Sequence, residues 1–204
     1  MYCYIFGAIP VNSFKFEIKE NDIIIAADSG IINTQKFNIK PNYIIGDFDS
    51  LGYTPTDSNV IIHPIEKDDT DTMLAVKLGF ENGFKNFRIF GGIGGRLDHT
   101  YANIQTATYI AEKGGKAVFY GVKENFTVIK NNQITFDKGY EGNISIFALE
   151  DCHNVNIKGT YYELENGFLS VNFPLGTSNK FNNQEATISV EQGKLLIIWD
   201  KQGE

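Results

Sequence analysis

Residues 87–103 read FRIFGGIGGRLDHTYAN, a strand-like run that opens into Gly91, Gly92, Gly94 and Gly95 and then into a helix-like segment from Leu97. Four glycines in five positions remove side chains where the backbone must turn, and they leave N–H groups free to approach an anion. The helix that follows aims its positive dipole end at the same place. Arg96 adds a guanidinium suited to bidentate contact with phosphate oxygens. Asp98, two residues on, would repel phosphate unless a cation lay between them. The combination points to phosphate plus Mg²⁺. A glycine-rich turn is also what any tight strand-to-helix connection needs, and no Walker lysine follows these glycines.

The segments before this stretch repeat its grammar. Residues 2–6 and 23–27 are continuous apolar runs, the pattern of parallel strands buried on both faces, and the second ends in Asp28-Ser29-Gly30. Residues 43–45 break at Gly46 into Asp47-Phe48-Asp49. Alternate residues of extended chain point the same way, so the two carboxylates can share one cation while Phe48 anchors the loop. An acidic surface turn reads the same way. Residues 60–62 predict a further strand, with His63 in the loop after it. A helix is predicted from near Thr70 to Gly83, its apolar face carried by Met73 to Phe80. Asp69, Thr70 and Asp71 fall at its start, where short polar side chains cap N–H groups. Three acids within Asp68 to Asp71 exceed what capping needs and call for a compensating cation or base, to which Lys67 can contribute. Residues 97–113 predict a long helix containing Asp98 and Asn103, and residues 116–120 another strand. Strand, loop and helix thus alternate, with each acidic or glycine-rich feature just after a strand. That order predicts an α/β fold binding its ligand at the carboxyl ends of a mainly parallel sheet.

Beyond about Gly121 the helical period disappears. Residues 126–130, 133–136, 143–149, 155–158, 168–173, 186–190 and 194–199 are short strand-like runs. Asn131-Asn132, Gly139 to Gly142, Asn166-Gly167 and Gln192-Gly193 are read as turns between them. This predicts an antiparallel β-sandwich, and hence two domains, 1–122 and 123–204. Phe14 to Lys19 fits either helix or strand.

With 204 residues and 42% apolar content the chain can build one large core or two modest ones. Its formal net charge of −7 argues against nucleic acid or anionic membrane as a general partner. Two cysteines, Cys3 and Cys152, neither form a disulfide framework nor show metal-ligand spacing, and the N-terminal apolar run is too short to span a bilayer. A cytoplasmic protein is expected.

Taken together, Asp28-Ser29-Gly30, Gly46-Asp47-Phe48-Asp49-Ser50, Asp68-Asp69-Thr70-Asp71 and Gly91 through His99 closely resemble the motif series of thiamine pyrophosphokinases. With Gly176-Thr177-Ser178-Asn179 in the β-rich half, the resemblance extends over nearly the whole chain. Ser29 stands where members often carry glycine, and Tyr162 where some carry tryptophan. The resemblance implies transfer of a diphosphoryl group from ATP to the hydroxyl of thiamine, giving thiamine diphosphate and AMP. It implies a homodimer with sites formed between subunits. It further implies Mg²⁺ held by Asp47, Asp49, Asp71 and Asp98. ATP would be held by Asp28, Ser29, Gly30, Gly91, Gly92, Gly94, Gly95, Arg96 and Asn103, and thiamine by Tyr162, Ser178 and Asn179. Arg96, Asp71 and Asp98 would act in catalysis, either aspartate being able to accept the hydroxyl proton. A Mg²⁺-dependent phosphohydrolase uses the same carboxylates to activate water and is the alternative reaction.

Overall fold

The structure, a computed structural model, describes residues 1–49, 51–56, 59–64 and 68–202. Ser50 and Lys67 lie outside the described residues. The chain divides into two compact units, Met1–Val122 and Lys123–Glu204.

In the first unit the elements run β1 (Cys3–Phe6), β2 (Ile23–Ala27), α1 (Gly30–Lys36), β3 (Tyr43–Gly46), β4 (Asn59–Ile62), α2 (Asp71–Glu81), β5 (Asn86–Phe90), α3 (Leu97–Glu112) and β6 (Lys116–Tyr120). Its strands lie side by side as β6-β5-β1-β2-β3-β4, and every neighbouring pair is parallel. β1 and β2 are buried along their whole length, which is why their sequences are unbroken apolar runs rather than alternating ones.

The two faces of this sheet are covered differently. Cys3 points to the α2 side, where a Cβ on Gly79 would come within 3.0 Å of the Cys3 sulfur, and Phe80 of α2 packs its ring 4.9 Å from Phe87. Tyr4, Phe6 and Phe90 point the other way, against Phe14, Phe16, Ile18 and Phe37. Residues 14–18 form no helix and join no strand ladder. They run as extended chain across the face of the sheet, with Phe14, Phe16 and Ile18 inward and Lys15 and Glu17 exposed. The period of two is therefore present without strand pairing, which explains why the sequence fits no regular element cleanly. The Phe14 ring meets Tyr4, Phe6, Phe16, Phe37 and Phe90 at centroid distances of 5.2 to 6.0 Å.

The second unit holds β7 (Glu124–Lys130), β8 (Gln133–Phe136), β9 (Asn143–Ala148), β10 (Cys152–Lys158), β11 (Leu164–Leu169), β12 (Gly176–Lys180), β13 (Ala186–Gln192) and β14 (Lys194–Asp200). Two antiparallel arrays result, β12-β9-β14-β7 and β11-β10-β13-β8. Their buried faces meet in a sandwich core where the ring of Phe136, from β8, stands edge-on to Trp199 of β14 and to Phe181 at 5.1 and 5.3 Å.

Three local expectations are corrected here. The strand expected at residues 168–173 is β11, lying earlier at Leu164–Leu169. Asn166-Gly167, expected as a turn, is inside that strand. Asn166 has φ +46° and the β10–β11 register shifts on both sides of the Val155–Gly167 pair, so turn-forming residues here build a bulge. β12 is an additional strand whose Gly-Thr-Ser-Asn composition hides it; its register against β9 shifts between Gly176 and Asn179, and Ser178 sits at φ +58°.

Because Phe14 supplies much of the cover for one sheet face without any ladder hydrogen bonds of its own, Phe14→Ala should lower stability by about 2–4 kcal/mol. Urea denaturation with an unchanged m-value would register this as a shift in midpoint; a loss below ~1 kcal/mol would show that residues 14–18 merely rest on the sheet.

Candidate active site

In the parallel sheet β2, β3 and β4 are added on one side of β1, and β5 and β6 on the other. The order of the strands reverses between β1 and β5, and the space beyond the strand ends at such a reversal is the usual ligand crevice of such sheets. A cleft of about 350 Å³ lies there. Gly7, Ala8 and Ile9 line it after β1, Ala27 and Asp28 after β2, and Gly91, Gly92 and Gly94 after β5. Thr70, Asp71 and Thr72 come from the start of α2, and Arg96, His99, Ala102 and Asn103 from the start of α3. Two helix N-termini thus reach one cavity, a favourable setting for an anion.

The walls are fixed by backbone contacts. Gly7 N–H donates to Phe90 O at 2.7 Å, and Ile9 N–H to Gly91 O at 3.0 Å. Gly91, at φ +69°, is so close to the opposite loop that a Cβ would lie 2.6 Å from the carbonyl oxygens of both Gly7 and Ile9. Asn103, expected either as a cofactor contact or as a plain exposed helical residue, is buried, and its Nδ2 donates to Gly92 O at 2.7 Å. It holds the glycine loop while also lining the cleft.

Carboxylates gather next to this cavity. Oxygens of Asp28, Asp47 and Asp49 all lie within 4.8 Å of one another. Gly46 makes the gathering possible, because the Asp28 backbone passes where its Cβ would be, 3.0 Å from the Asp28 Cα. Phe48 is buried in the cluster of Ala26, Ile31 and Ile44 despite φ +62°, a costly conformation for an aromatic residue. Its burial holds Asp47 and Asp49 on the outward side of the loop, where Asp49 N–H also donates to Asp47 Oδ1 at 3.2 Å. Three hard oxygen donors at this separation suit Mg²⁺. Asp28 belongs to both the acidic group and the cleft lining.

Asp71 and Asp98 fall outside that group of three. Asp71 opens α2 and lines the cleft, behind Thr70, whose Oγ1 caps the helix by accepting from Met73 N–H at 3.2 Å. The acid run at 68–71 finds its base two turns along α2, where Lys77 Nζ lies 2.6 Å from Asp69. Asp98 is paired with Arg96: Nη2 reaches Oδ2 at 2.5 Å and Nε reaches Oδ1 at 3.1 Å. Gly95 adjoins the cleft in the glycine loop, and Ser29 and Gly30 lead from Asp28 into α1.

In the second unit, Asn179 is buried and spends its carboxamide internally. Oδ1 accepts from the N–H groups of Tyr162 and Lys180 at 2.9 and 2.8 Å, and Nδ2 donates to Thr160 Oγ1 and Tyr162 O at 3.0 and 2.6 Å. It thereby fixes the backbone of Tyr162, whose ring is exposed and stands edge-to-face with Tyr161 at 5.0 Å. Ser178 is exposed on the β12 bulge, its N–H donating to Ser145 Oγ at 3.0 Å.

Sequence reasoning missed Gly7–Ile9, His99 and the threonines flanking Asp71 as cleft residues. The first was within reach, since the run CYIF followed by glycine repeats the strand-then-glycine pattern used elsewhere.

By fold and by the position of its cleft the chain falls in the class of α/β proteins that bind ligands at a topological switch point. Residues 14–119 match the family thiamin pyrophosphokinase, catalytic domain, and residues 131–195 match thiamin pyrophosphokinase, vitamin B1 binding domain. The chain belongs to the thiamin pyrophosphokinase family and is an enzyme of the kinase type. It is similar to the thiamine pyrophosphokinase of Bacillus subtilis (strain 168), with 28% identity over 200 residues, 88% of this chain and 87% of the relative. It is also similar to thiamin pyrophosphokinase 1 of Caenorhabditis elegans, 24% identical over 82% of this chain and 74% of the relative. Among solved structures, thiamine pyrophosphokinase from Bacillus subtilis superposes with a TM-score of 0.87 over the full length of both chains at 24% identity. Thiamin pyrophosphokinase from Candida albicans superposes with a TM-score of 0.75 at 16% identity, covering 98% of this chain and 90% of that one. Among the described residues no helix is long and apolar enough to cross a membrane.

The Arg96–Asp98 pair sets a testable electrostatic property. The guanidinium holds the Asp98 carboxyl below its ordinary value, helped by the His99 N–H. A carboxylate with a depressed folded pKa contributes stability above its unfolded value, about 3.9, and that contribution is lost as pH falls through the lowered value. Carbon-detected NMR titration should place the Asp98 midpoint below ~3.9, rising in Arg96→Gln. A midpoint unmoved by that substitution would mean the pair does not persist in solution.

Proposed function

We propose that the enzyme transfers the diphosphoryl group of ATP to the hydroxyl of thiamine, releasing thiamine diphosphate and AMP. The observation that carries this reading is Asp28, which joins a group of three carboxylates to a cleft walled by glycine backbone and two helix N-termini. Within a family of thiamin pyrophosphokinases, that arrangement supports reading the acids as cation ligands beside a phosphate cradle.

In the reaction the thiamine hydroxyl oxygen bonds to the β-phosphorus of ATP. The bond from that phosphorus to the oxygen bridging the α-phosphate breaks, and AMP leaves carrying that oxygen. The hydroxyl proton passes to a carboxylate, for which Asp71 on the cleft wall and Asp98 are the candidates. Asp98 is the weaker base while Arg96 holds its pKa down. Asp28, Asp47 and Asp49 would hold Mg²⁺, with Asp71 and Asp98 as the further ligands the family resemblance implies, and the ion would neutralise phosphate charge during transfer. Gly91, Gly92 and Gly94 present backbone to the phosphates, and Gly95 gives the loop its turn. Arg96, exposed in its pair with Asp98, can exchange that carboxylate for phosphate at small cost, because solvent-exposed ion pairs are weak. Positioning of this kind supplies most of the catalysis where the transition state is loose.

Thiamine, with a cationic thiazolium and a flat aminopyrimidine, calls for aromatic surface and a few directed hydrogen bonds. Tyr162 offers the ring and Ser178 a hydroxyl on a strained bulge, while Asn179 holds the Tyr162 backbone. We read the enzyme as a cytoplasmic homodimer with sites completed between subunits. The exposed apolar side chains of Phe168, Val171, Phe173 and Leu175 in the second unit are what a self-association surface would cover. Light scattering should return twice the 22.9 kDa chain mass.

Incubation with ATP, Mg²⁺ and thiamine should yield AMP and thiamine diphosphate in equal amounts, with no nucleotide product when thiamine is omitted. ADP with thiamine monophosphate, or thiamine-independent phosphate release, would replace this reading by single phosphoryl transfer or by hydrolysis.

Ser178→Ala and Tyr162→Ala should weaken thiamine binding by ~1–3 kcal/mol each and leave ATP binding nearly unchanged. Asn179→Ala should act on thiamine at least as strongly, with added loss of stability from four broken internal hydrogen bonds. Calorimetric titration of both ligands decides it: equal losses for ATP would remove these residues from a thiamine site.

A further inference from the structure

The cleft wall formed by Gly7, Ala8 and Ile9 lies past the end of β1 at Phe6, and its amide ties to β5 and the glycine loop, Gly7 N–H to Phe90 O and Ile9 N–H to Gly91 O, leave its carbonyls to be held elsewhere. Those of Gly7 and Ile9 are held by Asn33, a buried residue of α1 that does not itself line the cavity. Asn33 Nδ2 donates to Gly7 O at 2.8 Å and to Ile9 O at 2.9 Å, and Oδ1 accepts from Val11 N–H at 3.0 Å. One carboxamide thus serves three backbone groups of a five-residue segment. One turn further along α1, Lys36 Nζ donates to Val11 O at 2.7 Å, closing the far end of the segment.

The two carbonyls bound by Asn33 are the same two that press on Gly91. They are pinned between the Asn33 amide on one side and the glycine loop on the other, where Ile9 N–H returns a hydrogen bond to Gly91 O. A shift of the Gly7–Val11 segment therefore carries Gly91 with it. We infer that Asn33 is a positioning residue for the nucleotide phosphates: by fixing Gly7 and Ile9 against Gly91 it sets the width of the cleft and the pose of its glycine backbone.

The chemistry demands this side chain. Two donors and one acceptor are needed in one planar group, which asparagine has and aspartate, leucine or alanine lack. Asn33→Asp keeps the acceptor for Val11 and the shape, but loses both donors and sets a carboxylate against two carbonyls. Asn103 does the matching work on the other wall through Gly92, so the two loops are each tied from a different helix.

The inference rests on the proposed ATP-dependent reaction for its kinetic readout, and the test separates the two. Asn33→Asp should raise KM for ATP ~10- to 100-fold, with KM for thiamine within ~2-fold of wild type, since a small misplacement of a phosphate cradle costs on that order. Phe136→Leu, a core variant of the second unit, serves as the control for general destabilisation and should leave KM for ATP unchanged in the folded enzyme. Hydrogen exchange should quicken at the amides of residues 7–11 and 91–95 in Asn33→Asp but not in the control. If Asn33→Asp does not fold, Lys36→Met, at an exposed position, should show the same pattern at ~3-fold or more in KM for ATP. An unchanged KM for ATP, or exchange that quickens evenly over the unit, overturns the inference. Should the wild type fail to convert ATP and thiamine, the proposed reaction falls. The positioning role is then judged on binding of trinitrophenyl-ATP followed by fluorescence, expected to be ~10-fold weaker in Asn33→Asp and overturned by equal affinity.

Discussion

The close backbone contact between the loop after β1 and the start of the loop after β5 is the constraint on which the site depends. Parallel strands β1 and β5 are neighbours, so their exit loops must both leave at the same edge, within hydrogen-bonding distance. Only a residue without a Cβ fits at position 91, where two carbonyl oxygens would lie 2.6 Å from it. Once that contact is made, the glycine loop is forced outward over the N-terminus of α3, and the cleft opens between it and the end of β2. Strand order thus decides where the two loops meet, and Asn33 and Asn103 fix the pose they take there.

Asp28 converts this cavity into a site suited to cation and phosphate together. It leaves β2 at φ +49°, a conformation that aspartate tolerates better than most residues. Its neighbour in the next loop is Phe48, also at positive φ but held there by burial. Both exceptions to ordinary backbone geometry occur where carboxylates are brought together against their mutual repulsion. Backbone strain located at such a cluster is stable only because the surrounding core over-determines it, here through Ala26, Ile31 and Ile44 around the Phe48 ring.

Much of this was legible in the sequence, for identifiable reasons. Strands β2, β6 and β8 are bounded by sharp changes from apolar to glycine, aspartate or asparagine, and their limits could be read to the residue. Asp47-Phe48-Asp49 disclosed its alternation of outward acids and inward ring. What could not be read were features made by distant partners. Asn33 looks like an ordinary helical residue, and its role depends on a segment 22 to 26 residues away. Asn103 resembles a surface position until the glycine loop folds back over it. In the second unit, Asn166-Gly167 and Ser178 carry turn chemistry inside strands, because a bulge and a turn both need positive φ and differ only in what pairs on either side.

Charge gives the remaining link between fold and chemistry. A chain of net charge −7, with three carboxylates beside the cleft, would repel a polyphosphate if side chains alone set the field. Arg96 is the guanidinium among the cleft-lining residues, and in this structure Asp98 engages it. Under the proposed function, attraction for phosphate would therefore come from fixed backbone dipoles at the starts of α2 and α3, and from a cation among the carboxylates. In the proposed reaction Arg96 is the part that would change partner, and being exposed it can do so at small cost. The acidic group and the phosphate cradle are thus complementary: each would be unfavourable alone, and a shared divalent cation removes the conflict between them.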